Sequence, residues 1–289
     1  MRIVLAVIVV AWFAVLFSRP LYRADESRYA EISREMVASG DWVTPRLNGF
    51  KYFEKPPLQY WTTAAFFTVL GEHDVVARLW NALCGFAGLL LALGAARRLY
   101  GPGAGLYAAA VLAASPLYVV LGQLNTLDMG FSLFMAAAIF AFSLGHVLLF
   151  WAACALAVLS KGLAGIVLPL GTVALYILAK RDWGRIRRLE WLKGAGLFLL
   201  ITAPWFIAVS LANDEFARFF FIREHFERFT TVSTVGSNRR GTSSPSWRSA
   251  WRRCSLRRSQ AGGAASARGW RSAVLLSTCR SFSGCGYRW

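Results

Sequence analysis

Five stretches of the chain carry no charged residue: Ile3–Phe17, Leu99–Leu127, Met129–Ser160, Gly162–Ala179 and Gly194–Asn213. A helix needs roughly 20 mostly apolar residues to cross ~30 Å of hydrocarbon, and several of these stretches reach or approach that length. A water-soluble bundle this apolar would show polar stripes at helical spacing, and none is visible. The balance of 56% hydrophobic to 16% charged residues also falls below the roughly 25% charged that soluble domains carry. The sequence therefore predicts an all-α polytopic membrane protein.

Transmembrane spans are predicted near 3–18, 75–96, 103–121, 129–144, 147–160, 163–179 and 193–212, about seven in all. No small-residue cleavage site follows the first, so it is read as an uncleaved span and not a secretory signal. Met129–Ser160 could be one long helix or two short ones turning near Gly145-His146. Two are chosen, because one would put the basic residues at 180–188 on the opposite side from Arg97 and Arg98. With the amino terminus in the cytoplasm, parity then places four polar regions on the outer face. They are the loop 19–74, the turns at Asp128 and Lys161, and the segment after Asn213. Cys84 and Cys154 fall inside predicted spans as packing residues, with no disulfide or metal-ligand spacing.

The net charge of +17 does not indicate nucleic-acid binding. Residues 1–231 hold 21 Lys and Arg against all 15 acids, whereas residues 232–289 hold the other 11 basic residues, all Arg. This tail has neither helical nor strand periodicity and contains Trp247, Trp251, Trp270 and Trp289, unlike an ordinary disordered basic segment. It is read as an aberrant, disordered or frameshifted tail. The competing reading is a genuine basic cytoplasmic or nucleic-acid-binding tail, against which parity counts.

The outer-face residues suggest chemistry. Asp25, Arg28 and Tyr29 share one face of a predicted amphipathic helix over 24–36; a capping acid with a surface ion pair is the plainer reading. Pro56-Pro57 is expected to make a rigid corner starting a helix at Leu58, leaving Glu54 and Lys55 just above the lipid. A lysine there suits a lipid phosphate, and a carboxylate suits a metal or a proton. Asp128 begins one span and Lys161 another; in the plainer reading Asp128 is a helix cap and Lys161 a snorkelling end residue. His225 lies in a predicted interfacial helix over 214–229.

Several ordered motifs then carry a resemblance. They are Arg23-Ala24-Asp25-Glu26-Ser27-Arg28-Tyr29-Ala30-Glu31-Ile32, Ser39-Gly40-Asp41-Trp42-Val43, Pro45-Arg46-Leu47-Asn48-Gly49 and Tyr52-Phe53-Glu54-Lys55-Pro56-Pro57. This series resembles the first external loop of the aminoarabinose transferase and protein O-mannosyltransferase-like family of membrane glycosyltransferases. Leu127-Asp128, Leu159-Ser160-Lys161-Gly162 and the segment 221–229 are similar to later family motifs, and the resemblance covers residues 1–231.

It implies a C-type glycosyltransferase-like fold with interfacial helices in the first external loop. It also implies sugar transfer at the outer face of the bacterial inner membrane, from a polyprenyl-phosphate donor to a lipid A-like or protein acceptor. On that resemblance Asp25 and Asp128 are the catalytic acids, Arg28, Tyr29, Lys55 and Lys161 hold the donor phosphate, and Glu54 and His225 are candidate ligands of a divalent metal. Family members continue with further spans and an external domain, so a truncated, inactive product is one expectation. A flippase for the same lipid is the non-enzyme alternative, but it should place ionisable groups near mid-membrane, not at span ends.

Overall fold

The computed structural model describes residues 9, 10, 12–21 and 25–220. They fall in the first of two units, residues 1–230. The 232–289 tail, His225 and residues 3–8 and 11 of the predicted first span lie outside them.

The segment 19–74 comes first in chain order. Helix α1, Asp25–Ser39, opens with Asp25 and Glu26 in its first turn, where carboxylates offset the helix dipole. Gly40, at φ 70°, follows its end. A two-residue antiparallel hairpin pairs β1, Arg46–Leu47, with β2, Phe50–Lys51. Its turn, Asn48-Gly49, has positive φ at both residues, which suits a tight two-residue connection. The Glu35 carboxylate accepts hydrogen bonds from the Asn48 and Gly49 amides and so fastens the hairpin to α1. Pro57 then caps α2, Leu58–Leu70, as the proline corner predicts.

The apolar stretches form the bundle: α3, Asp74–Tyr100; α4, Pro102–Ala114; α5, Pro116–Gln123; α6, Asp128–Ser143; α7, Val147–Lys161; α8, Ala164–Lys180; α9, Gly184–Arg188; and α10, Trp191–Ala212. Among the described residues, only α3 and α10 are by themselves long and apolar enough to cross a membrane. The predicted span 103–121 is broken instead, with α4 and α5 meeting at 69°. Pro116 explains the break, because the residue before a proline is driven out of the helical region and Ser115 is extended at ψ 115°. Helices α6, α7 and α8 are apolar but have 16, 15 and 17 residues. At about 1.5 Å per residue they span only about 25 Å, so they need local thinning of the bilayer or burial against neighbours.

Gly145, at φ 80°, turns α6 into α7, as the two-helix reading expects. The hairpin packs Ala138 and Ala141 against Phe150, Trp151 and Cys154, and α8 adds Val173 and Ile177. Gly165 lets α8 rest on the α7 backbone at Ala157 and Val158. Lys161 ends α7; it does not begin the next span as its position in the sequence suggests. Because α6 and α7 are antiparallel, Asp128 and Lys161 lie at one end of the bundle and the Gly145 turn at the other. The segment 19–74 sits at the Asp128 end: Phe53 packs with Leu159 of α7, with Trp205 and Val209 of α10, and with Phe216 and Phe220 beyond it.

Candidate active site

The Asp128 end gathers most of the residues singled out above. Lys161 Nζ donates to Asp128 Oδ1 and lies 5.4 Å from the centroid of the Phe131 ring. The pair is half-exposed, so both ends remain open to an incoming group. On α1, Arg28 Nη1 lies 3.6 Å from Asp25 Oδ1. Tyr52 Oη donates to Glu54 Oε2 at 2.9 Å and also accepts from Arg28. Arg28, Tyr52 and Glu54 thus form a chain from guanidinium to phenol to carboxylate. Burial alone would lower the Arg28 pKa, but the Tyr52 hydrogen bond and nearby negative charge leave it raised.

Tyr29 reports how these groups converge. Burial pushes its phenol up to about 12, and the negative charges of Asp25, Asp128 and Glu54 add to the rise while Arg28 opposes it. Such fields fade with distance. Carboxylates from α1, the proline corner and the start of α6 therefore all act on one phenol. Behind it, Tyr60 packs against Tyr29 and Tyr52 with ring centroids 6.0 and 6.5 Å away. Lys55 follows Glu54 directly and is half-buried at the Pro56-Pro57 corner.

Glu54, expected as a metal ligand, accepts the Tyr52 hydrogen bond. Among the described residues no three His, Cys, Asp or Glu side chains gather as a metal would need. His225, its expected partner, lies outside those residues.

The sequence reading missed the device that positions the two aspartates. Glu26, next to Asp25, is buried and ion-paired to both Arg19 at 2.7 Å and Arg78 at 2.9 Å. Arg78, four residues into α3, also donates to the Arg19 and Pro20 carbonyls. Asn125, three residues before Asp128, donates its backbone N–H to Glu26 Oε1 at 2.9 Å and its side-chain amide to the Glu26 carbonyl at 3.2 Å. Its Oδ1 accepts from Gln59 of α2 at 2.8 Å, while Asn81 of α3 donates to the Leu124 and Thr126 carbonyls. Four elements thus meet in a buried, paired network, and its two ends carry Asp25 and Asp128. One signal was present: Arg78 is a charge inside an apolar helix, and such residues are paired or functional as a rule.

Comparison with known proteins follows the same outline. Residues 54–207 match the family described as dolichyl-phosphate-mannose-protein mannosyltransferase. The chain is 34% identical over 238 residues to the undecaprenyl phosphate-alpha-4-amino-4-deoxy-L-arabinose arabinosyl transferase of Edwardsiella ictaluri, covering 78% of this chain and 43% of that protein. It is 34% identical over 230 residues to the protein of the same description from Aeromonas hydrophila, covering 74% of this chain and 41% of that one. The crystal structure of ArnT from Cupriavidus metallidurans bound to undecaprenyl phosphate superposes with a TM-score of 0.76 at 43% identity, over 77% of this chain and 43% of that one. The apo form of the same protein gives a TM-score of 0.73. This chain therefore spans less than half the length of the relatives it matches.

Proposed function

The chain belongs to the dolichyl-phosphate-mannose-protein mannosyltransferase family, and on that premise we propose that it transfers a sugar from a polyprenyl-phosphate-linked donor to an acceptor in the cell envelope. The reaction is assigned to the outer face of the bacterial inner membrane, with the amino terminus in the cytoplasm. A lipid A-like molecule is the acceptor that the relatives' descriptions favour, since they name an arabinosyl transferase using undecaprenyl phosphate.

One observation carries the reading: Asp25 pairs with Arg28 and Asp128 with Lys161, and the carboxylates of both pairs act on the half-buried phenol of Tyr29. In the transfer, the bond between the sugar's anomeric carbon and the phosphate oxygen breaks, and its electrons leave with the polyprenyl phosphate. The new bond joins that carbon to the acceptor oxygen, whose proton goes to a carboxylate. Asp25 or Asp128 serves as that base. Arg28, Lys55 and Lys161 stabilise the charge developing on the leaving phosphate, and Tyr29 donates a hydrogen bond to it. Lys161 is held by Asp128 until a phosphate competes for it, which frees the carboxylate to act on the acceptor.

The test is a transfer assay on the purified chain in detergent, supplied with undecaprenyl-phosphate-linked aminoarabinose and lipid A. A parallel reaction uses a polyprenyl-phosphate-linked mannose and an unfolded polypeptide. A mass increment on lipid A that vanishes in Asp128→Asn supports the proposal. An increment on the polypeptide alone would reassign the acceptor to protein. No sugar leaving either donor would refute transfer by this chain.

A further inference from the structure

The end of the bundle opposite Asp128 and Lys161 carries a second arrangement, which the transfer reaction does not use. Helix α8 stops at Arg181, whose left-handed φ of 55° turns the chain outward. The short α9 follows and is held in place. Leu189, just after it, is buried and its carbonyl accepts from Trp151 Nε1 at 3.0 Å, while Trp191 Nε1 donates to the Ile186 carbonyl at 2.8 Å. The turn is therefore moored to the α6–α7 hairpin near the Gly145 connection. Arg185 confirms this placement, lying 5.4 Å from the Phe142 ring and 5.1 Å from the Tyr176 ring.

Both carboxylates of the turn are already engaged, Asp182 with Arg185 at 2.9 Å and Glu190 with Lys193 at 3.0 Å. Lys180, Arg181, Arg187 and Arg188 are exposed and, among the described residues, make no side-chain hydrogen bond or ion pair. Interleaved with these cations are large apolar side chains facing outward: Trp183 is 59%, Trp191 45% and Leu192 91% exposed.

We infer that the turn from Lys180 to Lys193 is a binding surface for anionic phospholipid headgroups. Exposed cations without a partner among the described residues call for phosphate, and exposed tryptophan and leucine beside them call for acyl chains and the interfacial layer. A free phosphate or a nucleic acid would satisfy the charge but leave those apolar side chains in water. Helix α9 then lies along the headgroup layer, with Arg187 and Arg188 reaching the phosphates. Cations of this kind each strengthen attraction to an anionic leaflet by about fivefold. Removing two should therefore weaken headgroup binding by about twenty-fivefold.

The experiment is photo-cross-linking of the purified full chain in mixed micelles. One arm uses photoactivatable phosphatidylglycerol and the other the matching phosphatidylcholine, and the labelled peptides are mapped by mass spectrometry. Mapping separates this turn from the Arg-rich residues 232–289. Phosphatidylglycerol is expected to label peptides covering 180–193 and phosphatidylcholine to label them far less. Arg187→Gln/Arg188→Gln should abolish most of that labelling, Arg187→Lys/Arg188→Lys should keep most of it, and Arg34→Gln/Arg46→Gln at the other end should leave it unchanged. Equal labelling by the two lipids, an unaffected glutamine pair, or a lysine pair as poor as the glutamine pair would each overturn the inference. So would an equal loss in the Arg34/Arg46 variant.

Discussion

Arg78 Nε donates to Glu26 Oε1 at 2.9 Å across 52 residues of sequence, and the two side chains are only 1% and 2% exposed. The contact ties the second turn of α3 to the first turn of α1. Through Asn125 the same carboxylate reaches the segment that leads into Asp128. The two aspartates of the site therefore stand on one buried support, although 103 positions separate them in the chain.

Glu26→Ala should be among the most damaging single substitutions outside the site itself. Removing one partner leaves Arg78 charged and buried, at a cost of about 3–5 kcal/mol. Thermal unfolding in detergent would show it. Glu26→Gln should lie between Glu26→Ala and the native chain, because it keeps an acceptor for the Asn125 amide.

Asp128 and Lys161 should act as a unit. Asp128→Asn and Lys161→Met are each expected to lower sugar transfer by roughly a hundredfold or more. The double variant should lose little beyond the worse single one, because effects within one contacting pair do not add. Steady-state rates of all three variants check this, and multiplicative losses would show that the residues act independently.

Tyr29 sets a pH signature. Burial, with Asp25 next, raises its phenol from 10.0 to about 12, so between those values the unfolded chain holds fewer protons than the folded one. Stability must then fall as pH rises from 10.0 toward about 12 and stay flat in this respect below that window. Tyr52, also raised by burial and then by Glu54, acts in the same direction. Tyr29→Phe should lessen the alkaline loss in unfolding experiments and leave the profile below that window unchanged.

Gly165 tests the packing of the short helices. A Cβ there would collide with the α7 backbone at Ala157 and Val158, where nothing can swing aside. Gly165→Ala should therefore destabilise the chain by about 1–3 kcal/mol. Gly171, whose Cβ would meet nothing, is the control on the same helix, and the two melting temperatures make the comparison.

Much of this architecture was legible because apolar helices leave a one-dimensional record. The absence of charge from Met129 to Ser160, punctuated by Gly145, predicts two helices within a residue or two of α6 and α7. Pro56-Pro57 likewise marks the start of α2. The break between α4 and α5 was also written in the chain, at Ser115-Pro116, but hydropathy averages over it. The Glu26–Arg78–Asn125 network left almost no local trace, since Glu26 meets Arg78 across 52 positions and Asn125 across 99. Charge count shows that Arg78 needs a partner and cannot say which one. Lys161 closes α7 and does not open α8; a lysine between two apolar stretches reads equally well as an end or a beginning. The tyrosines around Glu54 were visible as residues and not as a cluster, since rings meeting from α1, the hairpin exit and α2 share no spacing.

The most direct measurement of the central claim is the affinity of the purified chain for undecaprenyl phosphate against undecaprenol, which lacks only the phosphate. Both are measured again in Arg28→Met and Lys161→Met. The account predicts that the native chain binds the phosphate at least about tenfold more tightly than the alcohol, and that each variant loses most of that preference, as charge-assisted contacts require. Equal affinity for phosphate and alcohol, or a preference untouched by both variants, would contradict a donor-phosphate site at this end of the bundle.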